Sequence, residues 1–116
     1  MTGKQIAELL SKVRRLKWRR YKLGSGPRNG YCALGQIARL AGVSNETLAE
    51  VDCDGGRYAN AGGAYAACRP VTAVNDQTLS KEDMLKGLCA LGEREVPVGK
   101  LVAKLQAHDR VKGRSK

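Results

Sequence analysis

The chemistry-bearing side chains of this 116-residue chain concentrate near its amino end, where Arg14, Arg15 and the run Lys17-Trp18-Arg19-Arg20-Tyr21-Lys22 precede Arg28. Cations interleaved with aromatic rings can neutralise phosphates while a ring stacks on a base or packs over a sugar. A plainer reading stays open beside it: Trp18 closes one end of the core and the arginine stems lie around it. Arg110, Lys112 and Arg114 form a second basic group near the carboxyl end. Other side chains offer less. Cys32, Cys53, Cys68 and Cys89 form no CxxC pair, and the single histidine, His108, sits in the closing basic stretch. Buried reduced thiols are expected, with no metal and no cofactor; Cys53 to Cys68 is the most plausible bridge if one forms. Asp52-Cys-Asp54-Gly-Gly lacks the further oxygens of a calcium loop. The Gly24–Gly30 loop, which could track a phosphate backbone, lacks the Gly-Lys-Ser/Thr ending of a P-loop.

Charge is distributed as unevenly as chemistry. Net charge is +10: residues 1–28 carry nine Lys or Arg against one acid, residues 100–116 six against one, and residues 29–99 six against nine. A mildly acidic centre between two strongly basic ends suggests a polyanionic partner met by the ends. No run approaches the ~18 apolar residues of a membrane span, and the amino end reads as an amphipathic helix, so a cytoplasmic protein is expected.

These groups need a scaffold, and its centre is Tyr31 to Val51, read as helix, tight turn, helix. Leu34, Ile37, Ala38 and Ala41 recur at the spacing of one helical face, Gly42 can adopt the left-handed conformation that ends a helix, and Ser44 can cap the next. Upstream, Thr2 is a candidate cap for a first helix whose stripe is Ile6, Leu9, Leu10, Val13 and Leu16, with the basic and aromatic residues continuing along its end to Lys22. Downstream, the glycine- and alanine-rich stretch from Asp52 reads as a loop leading to a short helix at about Ala64 to Arg69, stopped by Pro70. Asn75-Asp76 reads as a turn. Leu79-Ser80-Lys-Glu-Asp83 opens a helix through a hydrophobic staple and a capping-box-like pair. Met84, Leu85, Leu88, Cys89 and Leu91 follow on one face, and Leu101, Val102 and Leu105 give a last helix.

The expected fold is therefore all-α: one domain over residues 1–116, a bundle of about five short helices with a Gly/Ala-rich loop and a mobile basic tail at about 108–116. Ile6 to Leu16, Leu34 to Ala41, Leu48 to Val51, Met84 to Leu91 and Leu101 to Leu105 supply the core.

Two resemblances attach to the centre. Ala38, Gly42, Val43, Leu48 and Val51 resemble the small, turn and buried positions of a helix-turn-helix. Against direct reading of DNA, the second helix carries Glu46 and Glu50 and no Lys or Arg, so phosphates would repel it. Asn29-Gly-Tyr-Cys-Ala-Leu-Gly-Gln-Ile-Ala-Arg-Leu-Ala, with Val74-Asn-Asp76 later, resembles an uncharacterised family of small bacterial and phage proteins marked by a Cys-Ala-Leu-Gly helix and a later Asn-Asp. That resemblance covers about residues 15–95 and implies a compact helical domain, with no catalytic residues to carry over. Members usually have an aromatic residue where this chain has Val74.

Taken together, these features lead to a non-enzymatic nucleic-acid-binding protein. It would hold DNA or RNA through phosphate contacts and aromatic stacking by Arg14, Arg15, Lys17, Trp18, Arg19, Arg20, Tyr21, Lys22 and Arg28, aided by Arg110, Lys112 and Arg114. The alternative is a phage-encoded inhibitor or accessory factor docking on an acidic surface of a host protein, since the same cations suit that partner. An enzyme is disfavoured because no nucleophile has a base near it in sequence.

Overall fold

The computed structural model describes residues 1–13, 17–20, 30–53 and 62–114, apart from the side chains of 51–53. Among them are seven helices: α1 (Gly3–Ser11), α2 (Ala33–Leu40), α3 (Asn45–Cys53), α4 (Gly62–Ala67), α5 (Arg69–Gln77), α6 (Lys81–Ala90) and α7 (Val98–Val111). The only extended pairings among the described residues are two isolated bridges, Thr2 with Glu95 and Trp18 with Tyr31. The protein is all-α, as the periodicity implies.

Local signals place several helix starts. Thr2 accepts from Gln5 N and Gln5 reaches back to Thr2 N, a reciprocal capping box that satisfies two donors the first turn would otherwise strand. Ser80 caps α6 by accepting from Asp83 N at 3.1 Å. Between α2 and α3, Gly42 takes φ +88 and Ser44 Oγ accepts from Thr47 N, so the turn forms at the expected residues.

The core gathers one face of each long helix. Ile6, Leu10, Leu34, Ile37, Ala38, Leu48, Met84, Leu88, Leu101 and Leu105 are all buried together with Val43, Val71, Val96 and Val98. Helix α1 packs on α6, α5 lies between α6 and α2, and α7 runs against α2, α3 and α4. Ala41, expected inside, is exposed, and the side chain of Val51 and the whole of Leu16 fall outside the described residues.

Four expectations are corrected. The first helix does not continue toward Lys22: it ends at Ser11, and residues 17–20 run in non-helical conformation. The ammonium of Lys81 on α6 meets the carbonyl of Val13 at 2.5 Å, supplying the cation that a helix end favours, and from Lys17 the backbone pairs with Tyr31 instead of with its own preceding turn. Asn75 and Asp76 are not a turn but part of α5. There Pro70 stands in the first helical turn, where its missing N–H costs nothing, and Val71 and Asn75 bury the same face four residues apart. That unforeseen helix is the main reason the count exceeds five. The staple at Leu79 does not form, because its side chain is 79% exposed. Finally, the expected mobile tail is helical to Val111, and Arg114 N donates to Asp109 O at 2.7 Å.

Candidate nucleic-acid interface

Two sets of basic residues are brought to the surface on separate elements. The first is the segment Lys17 to Arg20, laid beside Tyr31 by two backbone hydrogen bonds, Arg19 N to Tyr31 O at 3.0 Å and Tyr31 N to Lys17 O at 2.7 Å. Gly30 permits the approach: its φ is +91, and a Cβ there would stand 2.9 Å from the Lys17 carbonyl oxygen. Trp18 is half-buried against the core, and its indole N–H donates to Asn75 Oδ1 at 2.6 Å. The plainer role for that ring is thus the one its contacts describe. Lys17 is exposed, while Arg19 and Arg20 are half-buried. Arg14, Arg15, Tyr21, Lys22 and Arg28 lie outside the described residues.

Asn75 organises this corner. Its side chain is 1% exposed and nearly saturated: Oδ1 also accepts from Ala33 N at 3.0 Å, and Nδ2 donates to the Arg19 carbonyl at 3.2 Å and to Asp76 Oδ1 at 3.2 Å. Ala33 N is one of the amides left over at the start of α2, so Asn75 caps that helix from a distance while Cys32 Sγ accepts from Gly35 N.

The second set lies along α7. The one acid of that helix, Asp109, is buried and accepts from Ser44 N at 2.9 Å, Ser44 Oγ at 2.8 Å and the hydroxyl of Thr47, holding the start of α3 against α7. Burial pushes the Asp109 carboxyl up, but the hydrogen bonds from Thr47 and Ser44, with Arg114 nearby, outweigh it and hold the group below its ordinary value. With that acid turned inward, the solvent side of α7 and its end presents Lys100, Lys104, Arg110 and Lys112, all exposed. Lys100 and Lys104 were not singled out from the sequence, although their four-residue spacing, which sets them on one side of the helix, was a signal that could have found them.

Arg114 is otherwise engaged. Its Nη1 donates to Thr47 Oγ1 at 3.1 Å and its Nη2 to Glu50 Oε1, while His108 Nε2 lies 2.9 Å from Glu50 Oε2. Hydrogen bonds from Arg114 and then His108 lower the Glu50 carboxyl from 4.5 to about 2. Helix α3 therefore spends one of its carboxylates, that of Glu50, on α7, and its exposed Glu46 leaves it the wrong sign for a phosphate-facing helix.

Among the described residues no cluster of three or more His, Cys, Asp or Glu is placed to hold a metal ion, and no helix is long and apolar enough to cross a membrane. Cys32 and Cys68 are buried free thiols, but Cys89, expected on the buried face of its helix, is exposed; the Cys53 side chain, and with it the suggested bridge to Cys68, lies outside the described residues. Comparison with protein-family models, curated proteins and solved structures finds no match, so the reading of this surface rests on its geometry and charge.

Proposed function

We propose that the protein is a small, non-enzymatic nucleic-acid-binding protein whose contacts are made to phosphates. The observation that carries this reading is the set of exposed cations on α7 and just past its end, Lys100, Lys104, Arg110 and Lys112, with the helix's only acid drawn into the fold by Ser44 and Thr47. Lys17, on the segment beside Tyr31, adds a cation from a separate element. Contacts of this kind bind without regard to sequence and weaken steeply with salt, by roughly 0.9 in the slope of log affinity against log salt per phosphate on duplex and about 0.7 on a single strand.

Fluorescence anisotropy on labelled single- and double-stranded DNA and RNA, across a salt series, tests the reading. Arg110→Ala, Lys112→Ala and Lys17→Ala should each weaken binding to all sequences and reduce the salt slope by about one. Wild-type protein that shows no salt-sensitive binding to any of these probes would remove the proposal.

A further inference from the structure

Beside the cations of α7 runs a groove with two unlike walls. Gly63, Ala64 and Ala67 of α4 form one side, and Lys100, Ala103 and Lys104 of α7 form the other. Its floor is small and apolar: Ala64 is buried, and Ala67 and Ala103 are exposed methyl groups. Among the described residues that line it, the only charges are the two lysines, one helical turn apart on the same edge.

We propose that this groove docks an acidic amphipathic helix of a partner protein. Such a helix has one apolar face and one charged edge, which matches one apolar wall and one cationic wall. Carboxylates spaced four residues apart on the incoming helix fall about 6 Å from each other, the separation at which Lys100 and Lys104 stand. The alanine floor lets a helix approach closely. A nucleic-acid strand, anionic along its length, fits less well: among the described residues the α4 wall offers no cation and the lining no aromatic ring on which a base could stack. A second copy of this chain is a separate outcome that sedimentation reads. The groove shares Lys100 and Lys104 with the proposed phosphate-binding surface, and a substitution that fills the groove without touching charge separates the two readings.

The test uses the full chain and a fluorescein-labelled designed helix with leucine and alanine on one face and glutamate at every fourth position along the adjoining edge. Anisotropy should rise to saturation with wild type, and replacement of the glutamates by glutamine should weaken binding by about tenfold or more, a difference of about 1.4 kcal/mol. Ala103→Trp fills the groove without changing charge, on an exposed position that leaves the fold intact. It should abolish peptide binding while the salt slope on nucleic acid stays as in wild type. Lys100→Glu combined with Lys104→Glu should abolish peptide binding too. If Ala103→Trp binds the peptide like wild type, the association is one of charge alone and the groove proposal fails. It fails equally if wild type does not bind, or if sedimentation shows that Ala103→Trp abolishes a self-association of the wild-type chain.

Discussion

The carbonyl oxygen of the Asn75 side chain lies 2.6 Å from the Trp18 indole nitrogen and 3.0 Å from the Ala33 amide, so one atom joins α5, the segment beside Tyr31 and the start of α2. Removing it strands both donors in the interior. Asn75→Ala should cost about 2–6 kcal/mol, since each of the two groups left unpaired costs about 1–3. Trp18→Phe loses the N–H and part of the indole's packing but leaves Asn75 Oδ1 bonded to Ala33 N, so a smaller loss of about 1–2 kcal/mol is expected. Urea melts of the two variants check the order; equal losses would mean that the ring's packing, rather than the shared oxygen, holds the corner.

The clamp between α3 and α7 should fade in acid. Glu50 is held at about 2 in the folded chain against an ordinary 4.5, first by Arg114 and then by His108. A group lowered on folding stabilises fully above its unfolded value, and that contribution is lost as pH falls through the folded one, here between about 4.5 and 2. Asp109, also lowered, acts in the same direction. Glu50→Gln should melt below wild type at pH 7, and the gap should close on acidification toward pH ~2. A gap that is constant with pH would show that Glu50 contributes through packing alone.

Leu34 is 1% exposed on the buried face of α2, and Leu34→Ala should cost about 2–5 kcal/mol. Glu46, exposed on α3, should tolerate Glu46→Gln to within about 0.5 kcal/mol. A Leu34→Ala protein with wild-type melting would deny α2 its central place in the core.

Alkylation should sort the thiols. Cys89 is exposed and should react first, whereas Cys32 and Cys68 are buried, and burial pushes the Cys68 thiol up to about 11, leaving little thiolate near neutrality. Denatured without reductant, the chain should titrate all four cysteines of its sequence. Mass spectrometry after a short pulse of iodoacetamide gives the order, and early modification of Cys68 would contradict it.

Signals within one turn of their target were readable in the sequence: Thr2, Gly42, Ser44 and Ser80 each act on residues no more than four positions away. The interactions that fix the candidate surface act across the chain. Asn75 caps α2 from 42 residues away and Asp109 caps α3 from 65, and side chains bonding to remote backbone leave no periodicity to detect. Pro70 misled because proline looks the same whether it ends one helix or opens the next. The basic residues were plain as a composition; which of them point outward depended on where α1 stopped and on which acids the fold consumed. Arg114 was counted with the surface, yet Glu50 and Thr47 hold it.

The Asn75 joint also carries a consequence for how quickly the protein assembles and comes apart. Its bonds to Trp18 and Ala33 close loops of 57 and 42 residues, whereas the α2–α3 turn closes over a few. Long closures lose chain entropy before any contact repays them, so short-range pairs gather first and the joint is sealed after the rate-limiting barrier. In stopped-flow experiments Asn75→Ala should then accelerate unfolding and leave refolding almost unaltered, with Leu34→Ala slowing refolding instead. The segment carrying Lys17 would be the last to be seated in each folding event and the first to lift away in each unfolding one.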